Sequence, residues 1–366
     1  MQNESILVSR PVKVAIIGTN GLPARYGGFE TLANYLTLYS GSRFELTVFC
    51  PRTPIDQQMD YFNGATLKYL PLESNGLQSS LYDIISMFIA VKNCDTLLIL
   101  GTPGCIILPL LRFWKEKKIL VNFGGLEWKR GKWGFLFRAY LRLTEAIAVH
   151  FSSALIVDNK AFVDYVDKTY HKECILIEYG GDHALPQAYD ATLINMYPFL
   201  GKRYFISVSR AQPDNNIHMV LEAFTESTDR LVLISNWNNN KYGKALKEEY
   251  SKWNNISLLD AIYDINILNI LRSNATGYIH SHSFCGSAPS LIEAMYLGLP
   301  IFSYSAPTNT YTTEGQALYF SNSEDLRLLI NSTDENKLNK QGQLMKSIAD
   351  KRYTWKRIVK MYENLY

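Results

Sequence analysis

Short β-branched runs alternate with helical segments along this chain, and the alternation starts twice. The first series contains six predicted strands, at residues 12–17, 45–49, 66–69, 96–100, 119–122 and 154–157. The second series contains predicted strands at residues 204–208, 231–235, 277–280 and 300–303. Helices are predicted between strands, at residues 29–39, 81–91, 133–150, 216–225 and 290–297. This alternation is typical of parallel sheets covered on both faces, so the sequence predicts two Rossmann-like α/β domains.

The chain length agrees with two domains, because 366 residues exceed what one hydrophobic core usually organises. We expect an N-terminal domain over residues 1–195 and a C-terminal domain over residues 196–345. A final helix over residues 346–366 is predicted to pack back towards the N-terminal domain.

Composition restricts the environment of the protein. The formal net charge of +3 is too small to indicate nucleic acid as a partner of the whole chain. The five cysteines show no close pairing of the kind found in metal sites or disulfide-rich folds, which predicts reduced thiols and a cytoplasmic location. No secretory leader is expected at residues 1–10, and the longest apolar runs are too short to span a membrane.

The loop after the first predicted strand contains the motif G-T-N-G-L-P-A-R-Y-G-G-F-E. Its glycine spacing differs from the G-x-G-x-x-G of dinucleotide-binding folds, and no acidic residue follows the second strand. Both observations argue against a nicotinamide-dependent dehydrogenase. Gly27 and Gly28 precede the first helix, where backbone amides can approach a ligand closely. A turn without a ligand is the alternative.

A second loop and the helix after it have the sequence S-H-S-F-C-G-S-A-P-S-L-I-E-A-M. Gly286 and Ser287 precede the predicted helix, and Glu293 lies about one turn inside it. Helix N-termini attract phosphate groups, so this segment predicts a diphosphate site. An ordinary connection capped by a serine is the alternative.

Arg210 follows the first predicted strand of the second domain. A guanidinium at the carboxyl end of a parallel strand can bind a diphosphate bidentately and neutralise charge on a leaving group. A solvated surface salt bridge is the alternative.

Together these motifs resemble the GT-B glycosyltransferases of the family-four type. The resemblance includes N-F-G-G-L-E-W-K-R-G-K-W, E-Y-G-G-D-H-A and S-R-A-Q-P-D-N-N-I, and it extends over about residues 12–320. More narrowly, the motifs are similar to those of bacterial rhamnosyltransferases for capsule and O-antigen. The resemblance implies a GT-B fold that holds the nucleotide-sugar donor mainly on the C-terminal domain and the acceptor on the N-terminal domain.

The resemblance also implies roles for individual residues. Glu293 would hydrogen-bond the donor ribose, Arg210 would hold the diphosphate, and Gly27 and Gly28 would close over the phosphates or the sugar. No metal and no cofactor are expected, in agreement with the lack of a D-x-D motif. An arginine, a helix terminus and backbone amides can stabilise the leaving group in place of a cation.

Two positions near the donor depart from the family pattern. Asn215 stands where many relatives have a phosphate-binding lysine, and Cys285 stands where the E-x7-E pattern has its first glutamate. His282, or the backbone amides of Gly286 and Ser287, are the candidates to replace that contact with the donor sugar.

Gly124 is the third departure, because relatives tend to carry aspartate or histidine near this position. Glu127 is then the candidate carboxylate at the acceptor hydroxyl. The alternative is an exposed ion pair between Glu127 and Lys129 or Arg130.

Each of two histidine-containing motifs has two interpretations. Asp182 and His183 either orient the sugar or cap a turn at the domain boundary. His280 and His282 alternate as residues of a strand end do, and that spacing is compatible with a core position for one of them. A metal pair is not expected there without further ligands.

The segment from Arg112 to Arg142 contains nine Lys or Arg residues and two Glu residues, a net charge of +7. Its second half, which we call the basic aromatic segment (residues 128–142), combines cations with large aromatic side chains. These residues are Trp128, Lys129, Arg130, Lys132, Trp133, Phe135, Phe137, Arg138, Tyr140 and Arg142. The composition predicts binding to an anionic membrane surface. A solvated basic face on a core helix is the alternative.

We therefore expect a retaining glycosyltransferase that moves a deoxyhexose, L-rhamnose from dTDP-rhamnose, to a lipid-diphosphate-linked saccharide. Arg210, Glu127 and His282 are the predicted catalytic residues, and the expected location is the inner face of the cell membrane. Two alternatives remain. One is a GT-B fold nucleotide-sugar epimerase, and the other is a degenerate transferase that acts as a non-catalytic assembly partner.

Overall fold

The computed structural model describes residues 10–24, 27–129 and 133–366. In its N-terminal part, eight strands form one sheet with all neighbouring pairs parallel except one. These strands are β1 (Val12–Ile17), β2 (Phe44–Cys50), β3 (Tyr61–Phe62), β4 (Ala65–Tyr69), β5 (Thr96–Leu100), β6 (Lys118–Asn122), β7 (Ala154–Val157) and β8 (Ile175–Leu176). Their order is β3-β4-β2-β1-β5-β6-β7-β8. The central strand β5 is buried along its whole length, as its continuous apolar run predicts.

The C-terminal part contains a second sheet, of six parallel strands. They are β9 (Tyr204–Val208), β10 (Arg230–Ser235), β11 (Ile256–Asp260), β12 (Gly277–His280), β13 (Ile301–Tyr304) and β14 (Leu318–Phe320). Their order is β11-β10-β9-β12-β13-β14. The two parallel sheets confirm the predicted α/β architecture with two Rossmann-like units.

Helices cover the faces of both sheets. The N-terminal helices are α1 (Gly28–Tyr39), α2 (Ser79–Asn93), α3 (Leu108–Leu111), α4 (Phe135–Phe151), α5 (Lys160–Tyr170) and α6 (Ala191–Met196). The C-terminal helices are α7 (Ile217–Thr225), α8 (Lys241–Tyr250), α9 (Ile265–Ser273), α10 (Pro289–Tyr296), α11 (Pro307–Thr312), α12 (Ser323–Ser332), α13 (Glu335–Arg352) and α14 (Trp355–Glu363). None of these described helices is long and apolar enough to cross a membrane.

The end of the chain returns to the N-terminal domain, as predicted. The Trp355 ring at the start of α14 stacks on Tyr35 of α1, with ring centroids 4.4 Å apart. The Asn122 side chain at the end of β6 donates to the Tyr362 hydroxyl at 2.7 Å. In place of one final helix, the structure has two, because Thr354 is extended between α13 and α14. The domain boundaries at residues 195 and 345 stay predictions.

One edge of the first sheet differs from the parallel arrangement. Strands β3 and β4 form an antiparallel hairpin. Asn63 and Gly64 make its two-residue turn, with φ of 49° and 79°. Positive φ at both turn positions is the geometry of the tight hairpin turn that favours Asn-Gly. The Asn-Gly pair was therefore a turn signal in the sequence.

A buried carboxyl group in the N-terminal core provides a stability test. Burial raises the pKa of Asp83, on α2, to about 8 from an ordinary value of 3.8. Between those pH values the folded state keeps a proton that the unfolded state has lost, so the free energy of unfolding should fall as pH rises. Asp83→Asn has a similar shape and no charge, and it should melt at a higher temperature than the parent at pH 8.

Thermal unfolding at pH 5 and pH 8 measures this effect. The gap in melting temperature between Asp83→Asn and the parent should be larger at pH 8 than at pH 5. An equal gap at both pH values would show that the Asp83 carboxyl does not titrate in the core as described.

Candidate active site

The carboxyl ends of the two sheets face each other and form the cleft. The Ser287 amide, in the loop after β12, donates to Oδ2 of Asp158 after β7 at 3.0 Å. The Ser287 hydroxyl also donates to the Asp158 carbonyl oxygen. A methyl group on Gly28, at the start of α1, would lie 3.6 Å from Cγ of Pro289 at the start of α10. The two glycine-containing loops singled out in the sequence therefore meet across this cleft.

Gly27 is required by the packing of the first loop. Its φ of 126° lies in the region that favours glycine, and a methyl group there would lie 1.9 Å from Oε2 of Glu30. The other oxygen of Glu30, Oε1, accepts from the Asn20 amide at 2.7 Å. Glu30 thus fixes the loop around the start of α1, and the predicted ligand contacts of Gly27 and Gly28 stay predictions.

Arg210 lies two residues after β9, at the cleft edge of the second sheet. The residue is half-buried, and its guanidinium forms no ion pair within the described residues. The Asn215 side chain donates to the Arg210 carbonyl oxygen at 2.8 Å. Asn215 therefore braces the backbone of Arg210. The solvated salt bridge considered as the alternative for Arg210 is not formed with any residue that the structure describes.

His282 lies close to Arg210, and its contact with the donor sugar stays a prediction. One of its ring nitrogens, Nε2, is 2.8 Å from the hydroxyl of Ser209, the residue before Arg210. The Asn309 side chain donates to the His282 carbonyl oxygen at 2.9 Å and fixes the backbone there. The structure thus brings two of the three predicted catalytic residues to one edge of the cleft.

Glu293 is buried in an ion-pair network. Its Oε2 lies 2.5 Å from Nη1 of Arg272, which is 1% exposed, and its Oε1 is 3.1 Å from Nε2 of His183. Burial alone would raise the pKa of Glu293, but the Arg272 guanidinium and His183 lower it to about 2. In this conformation the Glu293 carboxylate binds Arg272 and His183. Its contact with a donor ribose stays a prediction.

His183 connects Glu293 to the returning C-terminal segment. Nδ1 of His183 accepts from the Trp355 indole at 3.0 Å, so its Nε2 carries the proton and donates to Glu293. Asp182 accepts from the Trp355 amide at 2.8 Å, at the start of α14. Of the two interpretations of this motif, the structure supports a cap for Asp182. For His183 it adds a contact that sequence analysis did not consider.

Asp158 is the cleft residue that sequence analysis missed. Its Oδ1 atom is buried and has no hydrogen-bond partner within the described part of the chain, and burial raises the pKa of the carboxyl to about 6. A methyl group on Gly286 would lie 2.1 Å from its Oδ2 atom. In this conformation the Ser287 amide therefore points to Asp158, and diphosphate binding by Gly286 and Ser287 stays a prediction. A polar residue directly after a buried strand was the available signal.

The structure explains why Gly124 departs from the relatives. Its φ is 66°, and a methyl group there would lie 2.6 Å from the ring of Phe29 on α1. Aspartate or histidine would displace that ring. Glu127 begins a short 3-10 turn three residues later and is half-buried. Its role at the acceptor stays a prediction.

Three metal-ligating side chains come together at the end of β12. The ligand atoms of His280, His282 and Cys285 all lie within 4.8 Å of one another. Sequence analysis considered the two histidines without a further ligand. The loop after β12 supplies that ligand, because it folds Cys285 back onto the strand end.

In the basic aromatic segment, some side chains pack on the Trp128 ring and others, at the start of α4, are exposed to solvent. Lys129 and Arg142 lie over the Trp128 ring, 5.4 Å and 5.2 Å from its centroid. Phe135 and Leu136, at the start of α4, are 84% and 82% exposed. Two of its predicted cations, Arg130 and Lys132, lie outside the described residues. The helix begins at Phe135, two residues after the predicted start, and the exposed apolar pair is at its first turn.

Two family models match the chain. Residues 12–182 match a model described as "Domain of unknown function (DUF1972)". Residues 196–343 match the model "Glycosyl transferases group 1". The second domain is a group 1 glycosyltransferase domain. No curated protein sequence matches the chain.

Solved structures share the fold of this glycosyltransferase at low sequence identity. Sucrose-phosphate synthase from Thermosynechococcus elongatus gives a TM-score of 0.80 at 14% identity and covers 98% of both chains. HepE from Anabaena, solved with UDP and glucose, gives a TM-score of 0.74 at 14% identity. The match covers 96% of this chain and 98% of the HepE chain. A putative UDP-N-acetylglucosamine 2-epimerase from Listeria monocytogenes gives a TM-score of 0.61 at 14% identity. The match covers 97% of this chain and 95% of the epimerase chain.

These likenesses establish the GT-B fold that the sequence motifs predicted, since they extend over both domains. The group 1 domain at residues 196–343 identifies the protein as a glycosyltransferase-class enzyme.

Proposed function

We propose that this enzyme transfers L-rhamnose from dTDP-rhamnose to a lipid-diphosphate-linked saccharide, with retention of configuration, during surface polysaccharide assembly. The choice of rhamnose depends on the resemblance of the sequence motifs to capsule and O-antigen rhamnosyltransferases. A uridine-sugar donor is the alternative, because HepE was solved with UDP-glucose.

The guanidinium of Arg210, which forms no ion pair among the described residues, carries the proposal of a nucleotide-sugar site. It lies at the carboxyl end of β9 beside His282, in the cleft formed by both domains. Open parallel sheets bind ligands outside the carboxyl ends of their strands. A half-buried arginine without a carboxylate partner suits a diphosphate, which it can bind through two parallel hydrogen bonds.

The transfer step follows from these groups. The acceptor hydroxyl oxygen bonds to the anomeric carbon while the bond from that carbon to the donor phosphate oxygen breaks. The electron pair stays on the departing diphosphate, which Arg210 stabilises, and the acceptor proton moves to a phosphate oxygen on the same face. His282 contacts the donor sugar, and Glu127 orients the acceptor hydroxyl. Positioning and charge stabilisation then supply the rate enhancement.

The exposed apolar residues of the N-terminal domain support an acceptor at a membrane surface. Phe113 is 80% exposed and Phe135 is 84% exposed, and α3 packs against α4. Arg112 and Lys115 beside Phe113 are exposed cations. Large apolar side chains flanked by cations suit insertion into the headgroup region of anionic lipid.

Replacing Phe135 and Leu136 by serine should weaken binding to anionic vesicles at least tenfold. Each buried apolar side chain contributes roughly 1.5–3 kcal/mol, and a tenfold change corresponds to about 1.4 kcal/mol. Sedimentation with phosphatidylglycerol vesicles measures the effect. Ile55→Ser is the matched control, because Ile55 is 87% exposed and lies outside this surface. Equal sedimentation of both variants would contradict membrane binding through α4.

Donor selectivity can be measured by thermal shift of the purified enzyme with dTDP-, UDP- and GDP-sugars. A ligand that binds only the folded state raises the melting temperature. We expect the largest rise with dTDP-rhamnose and a smaller rise for it in Arg210→Ala. A larger rise with UDP-glucose would overturn rhamnose as the sugar while retaining the transferase.

A further inference from the structure

His280, His282 and Cys285 form a compact cluster at the carboxyl end of β12. His280 is the last residue of the strand, and its Nε2 lies 3.6 Å from Sγ of Cys285. The ring centroids of His280 and His282 are 4.4 Å apart. All three ligand atoms lie within 4.8 Å of one another, and this is the one such group found in the described chain.

The state of His280 suits coordination. The residue is 1% exposed, and its Nδ1 atom has no hydrogen-bond partner within the described structure. The ring nitrogen that faces Cys285 is the other one, Nε2, and it is the atom that would bind a metal ion. Metals bind the neutral imidazole.

A fourth donor atom lies beside the cluster. Asn309 on α11 is fully buried, and its Oδ1 is 3.4 Å from Sγ of Cys285. The side-chain nitrogen of Asn309 donates to the carbonyl oxygens of His282 and Tyr304, both at 2.9 Å. These two hydrogen bonds fix the orientation of the amide and direct its oxygen towards the thiol.

We propose that His280, His282 and Cys285 bind a zinc-class transition-metal ion, with the Asn309 side-chain oxygen nearest to its fourth position. Two imidazoles and one thiolate match the ligands that zinc prefers, whereas magnesium and calcium require oxygen ligands. Binding forms one Zn–S and two Zn–N bonds and releases the thiol proton to solvent. The sequence resemblance implied an enzyme that needs no metal, and the proposal departs from that expectation at this cluster.

The geometry requires little rearrangement. Tetrahedral zinc with Zn–S of about 2.3 Å and Zn–N of about 2.0 Å has neighbouring ligand atoms roughly 3.3–3.6 Å apart. The 3.6 Å between His280 Nε2 and Cys285 Sγ already meets this condition. The widest separation in the cluster, at most 4.8 Å, must close by about 1 Å, which a side-chain rotation of half-buried His282 can provide.

Such an ion would connect the end of β12 to α11 and fix His282. His282 is also 2.8 Å from Ser209, the residue before Arg210, so the ion would lie beside the proposed diphosphate position. Metal binding itself does not depend on the proposed transferase reaction. The test below measures only binding, so its failure and the failure of the proposed function are distinguishable.

Cobalt(II) titration of the chelator-treated full-length protein tests the site. Cobalt bound to two imidazoles and a thiolate gives tetrahedral visible bands and a thiolate charge-transfer band in the near ultraviolet. We expect one equivalent of cobalt, displaced by one equivalent of zinc. Cys285→Ser should abolish the charge-transfer band, and His282→Gln should weaken zinc binding at least about 100-fold.

Cys174→Ser is the matched control, because Cys174 is a free, half-buried thiol of the other domain. It should leave the spectrum and the zinc affinity unchanged. Thermal unfolding of each variant without metal shows that the fold is retained. The proposal is overturned if no charge-transfer band forms, if Cys285→Ser keeps the band, or if Cys174→Ser removes it equally.

Discussion

Replacing Arg210 with alanine should lower kcat for sugar transfer about 100- to 1,000-fold, the usual effect of removing a group that stabilises developing charge. The guanidinium is half-buried at the cleft edge of β9 and forms no ion pair in the described chain. Its charge is therefore available to the departing diphosphate. Because that charge develops most in the transition state, kcat should fall more than the donor affinity.

Two variants make this measurement specific. Arg210→Lys keeps the charge but loses the bidentate geometry, so it should recover only part of the rate. Arg203→Ala removes an exposed arginine that pairs with Asp229 outside the cleft, and it should transfer sugar at the parent rate. Equal rates for Arg210→Ala and Arg203→Ala would remove Arg210 from the mechanism.

Glu293→Gln is expected to lower the free energy of unfolding by about 3–5 kcal/mol, because it leaves the Arg272 guanidinium buried without a counter-charge. Arg272 is 1% exposed, and Glu293 is its ion-pair partner. Chemical denaturation at neutral pH measures the change. The double variant Arg272→Met and Glu293→Gln removes both charges and should recover most of the lost stability. Asp260→Asn, which breaks an exposed pair with Lys247, should melt close to the parent.

The same pair predicts an acid-dependent loss of stability. The folded-state pKa of Glu293 is about 2, below its ordinary value of 4.5. Its contribution is therefore complete above pH 4.5 and is lost as pH falls towards 2. The melting temperature of Glu293→Gln should approach that of the parent over this range. A constant difference between the two proteins down to pH 2 would contradict the ion pair.

Because Glu293→Gln is expected to destabilise the fold, the predicted contact of Glu293 with the donor ribose needs a test that separates binding from stability. Loss of donor binding in a Glu293 variant could result from a displaced α10 instead of a lost ribose contact. Comparing donor affinity in Glu293→Gln with that in the Arg272→Met double variant separates the two causes. A ribose contact predicts weak donor binding in both, whereas displacement predicts recovery in the double variant.

The sequence predicted the central strands well because their apolar runs are buried on both faces. Strand β5, for example, has the predicted bounds. Edge strands such as β8 and β14 were missed, because strands of two or three residues leave little pattern. The turn at Asn63 and Gly64 carried a signal that was not used.

Candidate site residues could be named from the sequence where a motif marks them and not where distant segments meet. Arg210 and His282 were singled out from their motifs, and they lie together. The contact of Asp158 with Ser287 joins residues 129 positions apart, and the pair of Arg272 with Glu293 joins two different helices. Local patterns contain no information on such contacts. Cys285 shows the same limit, because only the folded loop places it on His280.

Transfer of radiolabelled rhamnose from dTDP-rhamnose to a lipid fraction tests the central claim most directly. The purified enzyme would be incubated with the donor and with membranes from the source cells as acceptor, and label would be counted after organic extraction. We predict label in the lipid fraction with the parent enzyme and background label with Arg210→Ala. Conversion of the donor to another soluble nucleotide-sugar, or its full recovery unchanged while it binds the enzyme, would contradict the transferase.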